Sequence, residues 1–270
     1  MAANKHKFAI KLFVLLCFCF SISAVAQKII PVQFINSTSL PSTKIIGKDA
    51  FGDFYFLNDN VFTKTSALQK WEYKNVALGK IHKVDILNPL QLVLLFKDFN
   101  AVVFLDNQLN ETNRILGNSL ETPISFEYTG LASGNQFWFY DVFSRNIGLF
   151  QIKNNSYRWL STPLPVIPKA HRSNYNHYYW IDDTNTFYSI NLFGKIKKLG
   201  NIPINELVFI INEKQILYLQ NEKVQIYDVT LGESYPVEIL EKSFDNFFFK
   251  DGILSIFTQN KITNYKIILP

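Results

Sequence analysis

Apolar residues in this chain come in short bursts broken by polar turns, and no long segment repeats them at helical spacing. The clearest burst spans residues 81–111. Residues 82–86 alternate polar and apolar side chains until Asn88-Pro89 stops the run, because Pro lacks a ladder N–H and pushes its predecessor into an extended or turn conformation. Residues 90–96 are almost continuously apolar, too short for a helix, and fit a strand buried on both faces. Lys97-Asp98-Phe99-Asn100 supplies turn chemistry, and residues 101–106 resume a β-branched and aromatic run, so the stretch predicts a hairpin.

The same pair of runs recurs. Core runs begin at Phe54, Leu92, Phe137, Tyr178, Ile216 and Ile253, and each is followed after a polar turn by a second run, at Val61, Ala101, Ile147, Thr186, Val224 and Ile262. Their spacing of about 40 residues is that of a four-stranded propeller blade. The pattern therefore predicts an all-β, six-bladed β-propeller, and six hairpins at this period argue against a β-sandwich or a parallel β-helix. More polar outer strands are expected over residues 68–73, 111–116, 156–160, 195–199 and 236–240. Pro236 suits an edge, and Lys70, Lys195, Lys197 and Lys198 discourage edge pairing. The sixth blade lacks an outer strand at the C-terminus. Residues 29–35 have no partner near their own position, so they are expected to complete that blade and close the ring.

Before this lies a different composition. Lys5, Lys7 and Lys11 precede an apolar run over residues 12–25, and Ala24-Val25-Ala26 supplies small residues before Gln27, the order of a secretory signal peptide cleaved after Ala26. The run is too short to span a membrane. The expectation is thus a signal peptide at 1–26, one propeller domain at 27–270, and no membrane span after cleavage. Cys17 and Cys19 leave with the signal, so the mature chain has no disulfide and depends on packing. Its net charge falls from +5 to +2, since 24 basic and 22 acidic residues remain. That balance, without an Arg-rich patch, gives no reason to expect a nucleic-acid partner.

Little in the mature chain points to catalysis. His82 alternates with apolar neighbours and reads as a packed residue, although an inner strand would bring it near a central channel. His171 and His177 are too far apart for a local metal pair, and Asp182-Asp183 reads as a turn. No catalytic residue, metal or cofactor is expected. Residues 169–177, KAHRSNYNH, depart from the blade pattern and read as a loop or irregular inner strand carrying His171, Arg172, Tyr175 and His177. Loops on a rigid scaffold are where binding residues collect, and exposed Tyr175 and Arg172 would favour a protein interface over a plain solvated loop. The Asn88-Pro89 and Asp106-Asn107 turns are expected at opposite ends of the hairpin strands, bordering the two faces of the ring.

The phrases FGDFYFLNDNVFTK, VDILNPLQLVLLFKDFNAVVFLDNQLNE and QFWFYDVFSRNIGLF resemble a family of exported β-propeller proteins of Bacteroidota, which includes the periplasmic plug subunit of the type IX secretion translocon. The resemblance covers most of the mature chain. It implies a non-enzymatic, protein-binding propeller in the periplasm, peripheral to the outer membrane, with an outer-membrane translocon barrel as partner. The residues themselves leave two alternatives open: an exported enzyme or carbohydrate-binding module with its site at the central channel, and a secreted or cell-surface interaction protein.

Overall fold

In the computed structural model, residues 29–39, 44–203, 206–241, 243–258 and 261–270 are described; the expected signal peptide lies outside them. They form six four-stranded antiparallel sheets and no α-helix. The ring is closed by β1 (Val32–Ser39). Blade one is β2 (Lys44–Lys48), β3 (Phe54–Asn58), β4 (Val61–Thr65) and β5 (Lys70–Tyr73). Blade two is β6 (Lys83–Asp85), β7 (Leu92–Phe96), β8 (Ala101–Leu105) and β9 (Glu111–Leu116). Blade three is β10 (Phe126–Ala132), β11 (Gln136–Asp141), β12 (Ile147–Gln151) and β13 (Ser156–Trp159). Blade four is β14 (Ala170–Ser173), β15 (His177–Ile181), β16 (Thr186–Asn191) and β17 (Ile196–Asn201). Blade five is β18 (Leu207–Ile210), β19 (Gln215–Gln220), β20 (Lys223–Asp228) and β21 (Glu233–Pro236). Blade six is β22 (Asn246–Lys250), β23 (Ile253–Thr258) and β24 (Lys261–Ile267), with β1 outermost.

All six predicted hairpins are present, and the second and third strands of each blade supply most of the core. Every residue of β7 and β8 is buried, because the sheet lies between blades on both faces. The register pairs Leu92 with Leu105 and Phe96 with Ala101. Leu90 is exposed and belongs to the turn before β7, so the apolar run overstates that strand by two residues.

Closure differs in detail from the expectation. β1 pairs antiparallel with β24 from Val32↔Ile267 to Ser39↔Lys261, so the closing strand extends into the polar Asn36-Ser37-Thr38-Ser39. Its side chains are largely exposed, as an edge strand requires, and the anchor sits just before it. Ile30 is buried and forms a parallel bridge with Val237, its N–H donating to Pro236 O at 2.8 Å. The N-terminal segment thus joins blade five to blade six. Pro236 ends its outer strand rather than beginning it; β21 starts at Glu233.

Charge also enters the core where no apolar pattern announces it. Lys64 is buried between blades one and two, 3.1 Å from Asp53 Oδ2, and donates to Asn107 O at 3.0 Å. Asn100 does similar work between blades two and three. Its Nδ2 donates to Ile124 O at 2.6 Å and Asn118 Oδ1 at 2.7 Å, and its Oδ1 accepts from Phe126 N at 2.9 Å.

Candidate docking face and central channel

Antiparallel order sends the first-to-second and third-to-fourth strand turns of every blade to one face of the ring. The remaining turns and the blade-to-blade connectors lie on the other. The Leu92↔Leu105 pairing consequently places the Asn88-Pro89 and Asp106-Asn107 turns on the same face, correcting the expectation that they border opposite faces. The opposite-end reading fails because both turns leave the paired ends of β7 and β8.

This face is less uniformly charged than the other. Five of its turns, at residues 66–69, 88–91, 133–135, 174–176 and 229–232, carry no ionisable side chain other than Tyr175, whereas its other turns carry Asp49 and Asp53, Asp106, Lys153, Lys195, Glu213 and Lys214, and Asp251. Exposed on it are Phe51, Leu68, Leu90, Tyr175, Phe193 and Leu231. The connector face also exposes apolar side chains, among them Phe99, Phe143 and Leu240, but each of its described loops carries charge. Examples are Asp59, Asp98, Arg145, Asp183 and Glu222. Charge depletion with exposed aromatics characterises the core of a protein interface.

Hydrogen bonds fix the uncharged turns in place. Ser133 N donates to Tyr175 O at 2.9 Å, joining blades three and four, and Gln91 Nε2 donates to Asn135 Oδ1 at 3.3 Å, joining blades two and three. Trp138 Nε1 donates to Asn174 O at 2.9 Å, while Asn174 Oδ1 accepts from Asn176 N at 2.9 Å and His177 N at 2.8 Å. The Tyr175 turn is therefore held by blade three and by its own Asn174 side chain.

The residues singled out in the sequence gather at this end of the ring. Tyr175 is exposed in its turn, His177 opens β15 beside it and stacks on Tyr179 at 5.8 Å, and Asn88 caps its own turn by accepting from Leu90 N at 3.0 Å. Pro89 is buried, so it shapes the turn rather than presenting a surface. His171 and Arg172 lie on β14 and face the central channel instead.

The channel is a cavity of about 470 Å³ lined by all six inner strands and by Leu87, Ile211 and Asp251 at the turns of this face, onto which it opens. Its wall is divided. Lys83, Asp85, His171, Arg172 and Ser173 line one side, and Ile46, Val208, Phe209 and Phe248 the other, with Lys250 and Asp251 following Phe248. Lys83 Nζ lies 2.7 Å from His171 Nε2, and His171 stacks on Tyr128 at 4.0 Å. Asp85 accepts from Leu87 N through Oδ1 and from Leu131 N through Oδ2, both at 2.8 Å. Gly130 makes this crossing of three strands feasible: a Cβ there would sit 1.9 Å from Ser173 Oγ. Arg172 Nη1 donates to Ile210 O at 2.6 Å, with its guanidinium 4.3 Å from the Phe209 ring centre.

Burial sets the charge states. It pushes Lys83 down to about 8, with Asp85 opposing and Arg172 and Lys97 adding to the drop. It holds His171 well below the usual histidine range, helped by the Lys83 charge, so the imidazole is neutral at pH 7. His82, in contrast, is exposed rather than packed; the strand's phase turns Lys83 and Asp85 to the polar network and His82 away. The missed signal was a pair of charged residues at alternate positions on an inner strand. Among the described residues no group of three His, Cys, Asp or Glu is placed to hold a metal ion, and no helix is long and apolar enough to cross a membrane.

The chain is a six-bladed β-propeller with a central channel lined by both polar and apolar side chains. No protein-family profile matches it, and no curated protein is detectably similar. Solved structures with the same architecture include virginiamycin B lyase of Staphylococcus aureus, in a catalytically inactive form with quinupristin. That match has 12% identity, TM-score 0.58, and covers 86% of this chain and 99% of the lyase. The propeller domain of Cps50 (Swd1) from Myceliophteria thermophila matches at 11% identity and TM-score 0.50, covering 88% and 100%. The N-terminal BBS1 fragment, BBS1N, solved in complex with ARL6DN, matches at 11% and 0.56, covering 85% and 79%. These likenesses are likenesses of fold.

Proposed function

We propose that the protein is a non-enzymatic, protein-binding propeller that docks a partner through its channel-mouth face. The observation carrying this reading is the set of five uncharged turns on that face, three of them locked to each other across blades two to four, with Leu68, Leu90, Tyr175 and Leu231 exposed on them. A rigid surface loses little conformational entropy on association. The complex of BBS1N with ARL6DN supports the use of such a ring as a protein platform.

The finer reading is that of a periplasmic plug, peripheral to the outer membrane, closing the periplasmic end of a type IX secretion translocon. Its support is the family resemblance of the three quoted phrases and the signal-like residues 1–26. The test is affinity purification of the tagged protein from the cell envelope. Co-recovery of an outer-membrane translocon barrel is the expected result, and recovery of the protein without any translocon component overturns the plug assignment. Fractionation of envelope against medium separates it from a secreted or cell-surface interaction protein.

A second reading, an enzyme or carbohydrate-binding module acting at the channel, is favoured by the fold shared with virginiamycin B lyase. The site chemistry favours it less: both Asp85 oxygens are engaged by backbone N–H groups, leaving them poorly placed as a general base.

A further inference from the structure

The channel wall holds two half-buried cations, Lys83 and Arg172, that form no direct ion pair and share the longer-range charge of one carboxylate, Asp85. Among the described residues, neither Lys83 nor Arg172 has a carboxylate within 4.0 Å. Lys83 is met by an uncharged imidazole and Arg172 by a backbone carbonyl and an aromatic face. Asp85, on the same strand as Lys83, accepts from two backbone N–H groups and sets one negative charge against the two cations. Two cations taken partly out of water against one carboxylate leave an excess positive charge that a bound anion offsets. The opposite wall is apolar at Ile46, Val208, Phe209 and Phe248, with Lys250 and Asp251 beyond them, and the volume of about 470 Å³ lies within the roughly 300–1,000 Å³ of small-molecule sites.

We propose that the central channel binds a small organic anion with an apolar body, its acidic group held between Lys83 and Arg172 and its body against Ile46, Phe209 and Phe248. The site is independent of the docking face, although its mouth opens there, so a docked partner covers a bound ligand. Arg172 supplies fixed positive charge with directional N–H groups, and Lys83 a point charge on a flexible stem. Gly130 keeps the polar wall open where any other side chain would press on Ser173.

The probe is 8-anilinonaphthalene-1-sulfonate, titrated by fluorescence at pH 7 into the signal-free chain, with decanoate and decanol as competitors. The expected result is saturable one-to-one binding, displaced by decanoate and not by decanol. Lys83→Met and Arg172→Met each weaken it about tenfold or more, the loss of one charge-assisted contact. Lys83→Arg retains it, as does Phe193→Ser on the outer rim. Binding to the wild-type chain that decanol displaces as well as decanoate, or that is absent, overturns the proposal even where the Met variants fail to fold. Folded Met variants with unchanged affinity overturn it as well.

Discussion

Ile30→Ala tests whether the N-terminal segment is a latch for the ring or an appended strand. Ile30 is 3% exposed and belongs to the apolar cluster of blades five and six with Val237, Leu217, Val224 and Tyr235. The exposed side chains of β1 contribute little burial, so Ile30 is where the closing strand gains its hydrophobic hold. The substitution removes three buried carbons, about 2–3 kcal/mol of transfer, and the unfilled space raises the loss to about 2–4 kcal/mol. In equilibrium urea unfolding of the signal-free chain, a loss of that size moves the midpoint down by about 1 M at an m-value near 3 kcal/mol/M. Phe34→Ala is the control. Phe34 is 53% exposed and meets Tyr265 edge-on at 6.2 Å, so its truncation costs about 1 kcal/mol or less. Equal midpoint shifts for the two variants, or an early separate transition of blade six already in the wild type, would refute the latch.

Three further substitutions probe the interior. Asn100→Ala strips Ile124 O and Phe126 N of their partner and leaves Ala at φ 51°, for an expected loss of about 3–5 kcal/mol; Asn100→Gly recovers about 1 kcal/mol in the same urea assay by relieving the backbone. Tyr178→Phe raises stability by about 1 kcal/mol in thermal and urea unfolding, because the Tyr178 hydroxyl is buried with no hydrogen-bond partner among the described residues. Lys83→Met is more stable than wild type at pH 7 by roughly 2–3 kcal/mol, from a lysine held near 8 in the fold against its ordinary value near 10.5. The sign follows from proton binding: between pH 8 and 10.5 the unfolded chain holds the Lys83 proton and the folded chain releases it, so wild-type stability rises with pH and the advantage of the variant vanishes near pH 10.5. Urea midpoints at pH 7, 9 and 10.5 check this, and a gap that stays constant contradicts it.

Blade number, hairpins and closure were legible because packing between blades demands apolar runs at a fixed period, and residues such as Leu92 to Phe96 have no other use. Strand ends were less legible. Leu90 looks like core, yet it follows Pro89 in a turn, and Asn36 to Ser39 look like a loop, yet they pair with β24. Edge strands need backbone partners rather than apolar side chains, so pattern underestimates them. At the site, the departure of residues 169–177 from alternation pointed to His171, Arg172 and Tyr175. It could not separate the channel wall from the outer face, because those depend on which way an irregular strand turns. Lys83 and Asp85 were hidden for a related reason: their partners, His171 and Leu131 N, come from other blades.

The docking face is tested most directly by charge placed on one side of the ring at a time. Phe193, 89% exposed, and Leu231 change to Glu on the channel-mouth face, and Phe143 and Leu240 to Glu on the connector face. Because all four are exposed, both double variants should fold as the wild type does. In affinity purification from the envelope, loss of the co-purifying partner from the Phe193/Leu231 variant with retention by the Phe143/Leu240 variant is the predicted outcome. Retention by the first with loss from the second contradicts the account.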